Sequence, residues 1–139
     1  MTTKIYIVED HPLMRKMLHE IIDKMPGATV CGAAATAEEA LDELDDLEAD
    51  LALIDVSLPK MSGNELLEIL RERHPTLCCL VLSGYKESNY VEQAMAAGAW
   101  GYVLKGDPRE LQEAIETVLA GKRFVSRQLR ASGRNEFPP

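Results

Sequence analysis

The sequence predicts a single α/β domain, a three-layer sandwich in which a five-stranded parallel sheet is flanked by five helices. Strand-like and helix-like segments alternate five times along the 139 residues, as in a chain of five βα units. Some strand segments, such as residues 51–54 (LALI) and 77–82 (LCCLVL), are apolar without alternation. Continuous apolar strands are typical of parallel sheets that helices cover on both faces. The length suits one domain with one hydrophobic core.

The predicted strands are short, and several end at a polar residue. The first (KIYIVE) is largely apolar and ends in an acid, and the third (DLALID) is apolar until its last residue. Such runs, bounded by turn residues, are typical of buried strands. The five predicted strands are Lys4–Glu9, Ala28–Ala35, Asp50–Asp55, Leu77–Ser83 and Trp100–Leu104.

Most of the predicted helices begin at a recognisable signal. Pro12 stands where a first helical turn tolerates proline. Two capping-box patterns, Thr36 with Glu39 and Ser62 with Glu65, predict the starts of the second and third helices. The fifth helix start combines an N-cap, a first-position proline and a third-position glutamate, in Asp107, Pro108 and Glu110.

Apolar residues at helical spacing predict the face that each helix buries. In the first helix this stripe comprises Leu13, Met14, Met17, Leu18, Ile21, Ile22 and Met25. In the second it comprises Ala40, Leu41, Leu44 and Leu47. In the fifth it comprises Leu111, Ala114, Ile115, Val118 and Leu119.

The charge is unevenly distributed along the chain. Residues 1–121 contain 10 Lys and Arg against 22 Asp and Glu, whereas residues 122–139 contain five basic residues and one acid. An acidic domain is not expected to bind nucleic acid through its own surface. We therefore expect a domain over residues 1–121 and a basic, partly disordered linker or tail over 122–139, too short to be a DNA-binding domain.

Composition and motifs disfavour several other classes of protein. No apolar run approaches the ~18 residues of a transmembrane helix, and the first residues lack the features of a signal peptide, so a cytoplasmic location is expected. The three cysteines have no spacing typical of zinc ligands or a disulfide framework. Neither glycine-rich nucleotide motif occurs, which disfavours nucleotide binding.

Polar residues at the predicted strand ends form a chemically coherent set. Glu9 and Asp10 follow the first strand, Asp55 ends the third, Ser83 ends the fourth, and Lys105 follows the fifth. Because parallel strands present their carboxyl ends at one edge of a sheet, three carboxylates, one hydroxyl and one ammonium group are expected to converge there.

Three clustered carboxylates repel one another unless a cation neutralises them. Mg²⁺ suits such a set, because it binds carboxylates and keeps waters that phosphate oxygens can replace. Zinc would favour His or Cys ligands, which this edge lacks apart from His11. An aspartate beside Mg²⁺ can attack phosphorus as a nucleophile, while a lysine neutralises the transferring group. The set therefore predicts phosphoryl transfer to Asp55.

The sequence resembles the receiver domain of two-component response regulators over about residues 3–121, and most closely the LuxR-type (NarL/FixJ) class. The resemblance implies a flavodoxin-like fold with strand order 2-1-3-4-5. The segments that carry it are IVEDHPLMR (7–15), LALIDVSLPKMSGNELL (51–67), VLSGY (81–85) and AMAAGAWGYVLK (94–105), with GKRFVS after them.

The resemblance also implies a role for each site residue. Asp55 would be the phosphoacceptor, and Ser83 and Lys105 would contact the phosphoryl group. The Mg²⁺ would be held by Asp10 directly, by Glu9 through a water, by Asp55, and by the main-chain carbonyl of Ser57. Tyr102 would be the aromatic switch residue, whose ring turns inward as Ser83 moves toward the phosphate.

The sequence departs from the family pattern after the lysine, where many receivers have proline and this chain has Gly106. The geometry of the Lys105–Gly106 peptide is therefore left open. Ser57 and Tyr85 occupy positions that tune dephosphorylation in the family.

The leading hypothesis is a phosphorylation-activated switch that receives a phosphoryl group on Asp55 from a sensor histidine kinase. Such a protein catalyses only its own phosphorylation and dephosphorylation. The alternative is a phosphorylation-independent interaction module on the same fold. A Mg²⁺-dependent phosphatase is disfavoured, because such enzymes carry a second acid two residues after the nucleophile, where this chain has Ser57.

The output of the switch is expected to lie outside this chain. LuxR-type regulators append a helix-turn-helix domain of roughly 60 residues, whereas only 18 residues follow position 121. We expect the receiver part of a transcriptional regulator that reaches DNA through that further domain, rather than a stand-alone receiver. A homodimer formed on phosphorylation is a further expectation, and no membrane partner is expected.

Overall fold

The computed structural model describes residues 2–84 and 88–131, and in these ranges it contains a parallel sheet in the order β2-β1-β3-β4-β5-β6. Every pairing between neighbouring strands is parallel. The strands are β1 (Thr3–Val8), β2 (Ala28–Ala34), β3 (Leu51–Asp55), β4 (Cys78–Ser83), β5 (Gly101–Leu104) and β6 (Phe124–Val125). The predicted fold class and the order of the first five strands are confirmed.

Helices cover both faces of the sheet and enclose two apolar cores. The helices are α1 (Pro12–Asp23), α2 (Ala37–Leu44), α3 (Gly63–Arg73), α4 (Ser88–Ala97), α5 (Pro108–Leu119) and the short α6 (Arg127–Ala131). Residues of α1 and α5 share one core with the sheet, and residues of α2, α3 and α4 share the other. The three layers are those expected from the continuous apolar strands.

The sixth strand differs from the prediction of five. Phe124 and Val125 pair with Gly101 and Tyr102 at the β5 edge, and α6 follows directly. Leu129 of α6 is buried in the core shared with α2, α3 and α4. A two-residue strand is too short for a periodic pattern, so only its pairing identifies it. Residues 124–131 of the segment predicted as a linker therefore form regular structure, and 132–139 lie outside the described residues.

The predicted helix starts agree with the observed caps. Thr36 accepts a hydrogen bond from the Glu39 amide at 3.1 Å, and Ser62 forms a reciprocal capping box with Glu65. Asp107 caps α5 by accepting from the main-chain N–H groups of the two residues that follow Pro108. Capping groups satisfy the unpaired amides of a first helical turn, so local sequence is enough to locate these starts.

Some apolar stripes are wider than the faces that the fold buries. Leu13 and Met17 of α1 are 70% and 44% exposed, and Leu119 at the end of α5 is 40% exposed. Leu47 lies beyond α2 and is 38% exposed. Helical spacing gives the direction of an apolar face, but the neighbouring elements decide how much of it is covered.

Within the described ranges, no helix has the length and hydrophobicity needed to span a bilayer.

Candidate functional site

The carboxyl edge of the sheet brings four of the predicted site residues together. Asp55 and Ser83 are the last residues of β3 and β4, and Glu9 and Lys105 directly follow β1 and β5. The Lys105 amide donates to the carbonyl of Ser83 at 2.8 Å, which continues the β4–β5 pairing by one residue. Parallel pairing thus places these side chains at one edge, as such sheets require.

Lys105 forms ion pairs with two buried carboxylates. Its Nζ atom lies 3.1 Å from Glu9 Oε1 and 3.3 Å from Asp55 Oδ2. Glu9 is fully buried, and Asp55 is nearly so. One ammonium group thus faces two carboxylates, and when both are ionised a net negative charge remains in a buried place.

The electrostatics of this trio follow from burial and from the unequal number of charges. Burial, together with the adjacent Asp55 carboxylate, raises the pKa of Glu9 to about 7. Burial also acts to raise the pKa of Asp55, but hydrogen bonds involving Glu9 and Ser57 and the charge of Lys105 outweigh it and lower that pKa overall. Burial acts to lower the pKa of Lys105, and attraction to the two carboxylates outweighs it and raises that pKa. Asp55 is therefore the carboxylate that stays ionised near neutral pH.

Ser57 orients the Asp55 carboxylate. Asp55 Oδ1 accepts hydrogen bonds from the Ser57 main-chain N–H at 3.0 Å and from the Ser57 hydroxyl at 3.2 Å. The other oxygen, Oδ2, faces Lys105. Both oxygens of the carboxylate therefore have polar partners, and its plane is restrained.

Gly63 at the start of α3 allows the helix to pack closely against the end of β3. A Cβ atom at this position would lie 2.6 Å from the Asp55 carbonyl oxygen and 2.8 Å from the Val56 Cα. These are backbone atoms, which cannot move aside as a flexible side chain can. No local sequence signal identifies Gly63, because the close approach depends on how α3 packs against the end of β3.

Glu9, Asp10 and His11 form a group that could hold a metal ion, because they offer ligand atoms within 4.8 Å of one another. Glu9 Oε1 accepts no hydrogen bond from the residues that the structure describes, although the Lys105 ammonium group lies close to it. A buried carboxylate oxygen without a hydrogen bond fits a hard cation as a missing partner. Arg15, for which the sequence predicts no role, donates to the Glu9 carbonyl at 2.8 Å and so restrains the chain at this point.

The observed acidic group differs in part from the predicted ligand set. Glu9 and Asp10 belong to both. His11, which is not in the predicted set, lies within the observed group. Asp55 is linked to this group through Lys105, which contacts both Asp55 and Glu9.

Ser83 and Tyr102 are directly connected. Both are fully buried, and the Tyr102 hydroxyl donates to Ser83 Oγ at 2.8 Å. The ring of the predicted switch residue therefore lies inward, against the residue predicted to contact the phosphoryl group. Tyr85, the other predicted tuning position, lies outside the described residues.

The loop after Lys105 takes a conformation that suits glycine. Gly106 has a φ of 118°, a region that other residues rarely adopt, and the described residues contain no cis peptide bond. The Lys105–Gly106 bond is therefore trans, which answers the question that the missing proline left open.

Comparison with known proteins identifies the family. Residues 5–116 match the model of the response regulator receiver domain. The chain is 33% identical over 126 residues to the nitrate/nitrite response regulator protein NarL of Escherichia coli K12, covering 90% of this chain and 58% of that protein. It is 34% identical over 130 residues to the DNA-binding transcriptional activator DevR/DosR of Mycobacterium tuberculosis, covering 93% of this chain and 60% of that protein.

A solved structure agrees with these relatives. A LuxR-family two-component response regulator from Aurantimonas sp. SI85-9A1 superposes with a TM-score of 0.91 and is 34% identical, covering 98% of this chain and all of that one. The chain spans about 60% of the length of the two curated relatives described above. With a match over most of its length, this chain belongs to the response regulator receiver domain family, in its LuxR-type (NarL/FixJ) class.

Proposed function

We propose that this chain is a phosphorylation-activated switch that accepts a phosphoryl group on Asp55 from a sensor histidine kinase. The observation that supports the proposal is the setting of Asp55, a buried and ionised carboxylate held by Ser57 on one oxygen and facing Lys105 with the other. A restrained carboxylate beside a fixed positive charge suits attack on phosphorus.

The residues of the site would divide the reaction between them. A carboxylate oxygen of Asp55 forms the new P–O bond as the P–N bond of the phosphohistidine breaks. The ammonium group of Lys105 neutralises charge on the phosphoryl oxygens, and the hydroxyl of Ser83 donates a hydrogen bond to one of them. A Mg²⁺ ion held by Glu9, Asp10, Asp55 and the Ser57 carbonyl would supply further neutralisation of those oxygens. The raised pKa of Glu9 fits this assignment, since the single ammonium group of Lys105 does not neutralise both buried carboxylates.

The chemistry is proposed to be confined to the chain itself. Ser57 stands where aspartyl phosphatases carry a second acid for proton transfer, so external phosphoesters are not expected to be turned over. The aspartyl phosphate would then persist until water attacks it, and the protein would be a switch rather than a general phosphatase.

The conformational response is proposed to pass through Ser83 and Tyr102. A phosphoryl group on Asp55 offers oxygen acceptors to the Ser83 hydroxyl, whose oxygen now accepts from Tyr102. Phosphorylation would therefore bias a two-state equilibrium in this pair. Couplings of this kind are worth about 1–3 kcal/mol.

The output is proposed to be transcriptional. The matched relatives include a DNA-binding transcriptional activator, and the chain spans only part of their length. DNA would be bound by a further domain, with dimerisation on phosphorylation, in the cytoplasm, where a histidine kinase presents its phosphohistidine.

Intact-protein mass spectrometry tests the proposal. After treatment with a small phosphodonor and Mg²⁺, we expect the mass of one phosphoryl group on the wild-type protein and none on Asp55→Asn. Absence of the added mass in the wild type, or its retention in the variant, would overturn the assignment. Isothermal titration calorimetry with Mg²⁺ separates the alternative, because a phosphorylation-independent module predicts no binding at millimolar metal.

A further inference from the structure

Ser126, directly after β6, is bonded to the chain segment that carries Lys105. Its hydroxyl oxygen accepts a hydrogen bond from the Leu104 main-chain N–H at 2.8 Å, and the hydroxyl donates to the Glu110 carboxylate. Ser126 is fully buried and Glu110 almost so. Leu104 is the last residue of β5, and Lys105 is the next residue in the chain.

A hydroxyl is needed here because the main chain of Ser126 is already engaged. Its N–H donates to the Tyr102 carbonyl at 3.0 Å, and its carbonyl accepts from the Leu129 N–H at 3.0 Å in the first turn of α6. The main-chain pairing of β6 with β5 therefore ends at this residue. The side chain of Ser126 supplies the acceptor for the next β5 amide, which would otherwise be buried without a partner.

Glu110 extends the same connection to the first turn of α5. One of its carboxylate oxygens accepts from the Ser126 hydroxyl, and the other accepts from the Arg127 main-chain N–H at 3.1 Å. The Arg127 guanidinium lies 3.9 Å from Glu110 and pairs with Glu113. The start of α5 and the start of α6 are thus held to each other through one buried carboxylate.

These contacts hold both ends of a loop that has little stiffness of its own. The loop, residues 105–107, connects the last residue of β5 to the first turn of α5, and it contains Gly106 with a positive φ. Glycine is the most permissive residue, so the path of the loop depends on the contacts made at its ends. Lys105, the first residue of this loop, places its Nζ atom 3.1 and 3.3 Å from oxygens of the Glu9 and Asp55 carboxylates.

We propose that Ser126 and Glu110 are positioning residues for Lys105, contributed in part by the segment that leads out of the receiver. The proposal rests on the proposed function of Asp55 as phosphoacceptor. The coupling is reciprocal: if the docking of residues 124–129 affects the position of Lys105, a change in the position of Lys105 affects that docking equally. When the Lys105 ammonium shifts toward a phosphoryl group on Asp55, the free energy with which residues 124–129 dock on β5 changes as well. Phosphorylation is thereby linked to the chain segment on the way to an output domain.

A double-mutant comparison tests whether Ser126 acts through Lys105. Phosphorylation by a small phosphodonor with Mg²⁺ is followed for the wild type, Ser126→Ala, Lys105→Ala and the combined variant. Because small displacements of a catalytic group slow a reaction strongly, we expect Ser126→Ala to be about tenfold slower than the wild type. The combined variant is expected to be no slower than Lys105→Ala. Full additivity would overturn the proposal, as would a wild-type rate for Ser126→Ala.

A matched control and a second variant guard against general damage to the fold. Thr117→Ala removes another hydroxyl, one that bonds to the Glu113 carbonyl at 2.7 Å on α5, and should leave the rate unchanged. A loss of rate in this control equal to that of Ser126→Ala would contradict a specific role. If Ser126→Ala does not fold, Glu110→Gln takes its place in the same comparison, since glutamine retains one acceptor but loses the carboxylate that bridges to Arg127.

Amide hydrogen exchange decides the positioning claim independently of phosphorylation. The Leu104 and Lys105 amides are expected to exchange faster in Ser126→Ala than in the wild type, with the Thr117→Ala control unchanged. Equal protection in the wild type and Ser126→Ala would overturn the claim. A wild-type protein that exchanges as expected but accepts no phosphoryl group would refute the proposed function of Asp55 and leave the contact itself established.

Discussion

Replacing Glu9 by glutamine is expected to stabilise the metal-free protein. In the wild type, the fully buried Glu9 carboxylate shares a single ammonium group, that of Lys105, with Asp55. Glutamine keeps the size and one oxygen, which can still accept from the His11 main-chain N–H as Glu9 Oε2 does at 3.2 Å, but it removes one negative charge. Lys105 and Asp55 then form a balanced pair, so the buried net charge disappears.

The size and the pH dependence of this stabilisation follow from the raised pKa of Glu9, which is about 7 in the folded protein against an ordinary value of 4.5. Between these values the folded state binds more protons than the unfolded state, so the stability of the wild type falls as the pH rises. One pKa unit corresponds to 1.36 kcal/mol, which gives a loss of about 3 kcal/mol above pH 7. The Glu9→Gln variant has no carboxylate to ionise at this position, so its stability is not expected to fall in this way.

The assay is urea unfolding in EDTA at pH 5 and pH 8, followed by circular dichroism. We expect Glu9→Gln to exceed the wild type by about 3 kcal/mol at pH 8 and by much less at pH 5, where Glu9 is largely protonated. Adding 10 mM Mg²⁺ at pH 8 should narrow the difference in the free energy of unfolding between the variant and the wild type. Mg²⁺ binding to the folded wild type stabilises it, whereas the variant has lost one of the groups proposed to hold the ion.

A variant that is no more stable than the wild type at pH 8 would refute this reasoning. A gain of equal size at both pH values would also refute it, since the effect is then not one of ionisation. The exposed acid Glu116 offers the control, and Glu116→Gln should change the stability by less than about 0.5 kcal/mol at either pH.

Two further substitutions test the packing around the site. Gly63→Ala places a Cβ 2.6 Å from the Asp55 carbonyl oxygen, so urea unfolding should show a loss of about 1–3 kcal/mol and phosphodonor kinetics a slower reaction, whereas unchanged values would contradict the close approach. Leu129→Ala removes a side chain that is 2% exposed, and a loss of about 2–5 kcal/mol is expected in the same unfolding assay. A loss below about 0.5 kcal/mol would mean that α6 is not packed as part of the domain.

The strand ends show how far local signals reach. Asp55 and Lys105 could be assigned to one edge of the sheet because each follows an apolar run, and parallel strands align their carboxyl ends. The ion pairs of the Lys105 ammonium with Glu9 at 3.1 Å and with Asp55 at 3.3 Å could not be predicted in this way. Nor could the excess of negative charge that results when one ammonium group is shared by two carboxylates. They depend on the twist of the sheet and on the burial of Glu9, which arise only when distant segments pack together.

The C-terminal segment shows where sequence patterns fail. Ser126 lies in a stretch whose basic charge suggested a linker, and a two-residue strand has no period to detect. Glu110 was noted for its third position in α5, a helix-start signal, yet its carboxylate bonds to Ser126 and Arg127 instead. Both roles come from contacts between residues 16 to 22 positions apart.

By itself the sequence determined the fold class, most of the helix starts and the chemical identity of the side chains at the sheet edge. Continuous apolar runs, capping residues and terminal polar residues are local properties, and the regular geometry of a parallel sheet converts them into positions. Only the tertiary structure decided that β6 and α6 join the domain, that Gly63 must lack a side chain, and that Ser126 holds the segment bearing Lys105. These features depend on contacts that form only when the strands and helices pack together, which no local pattern encodes.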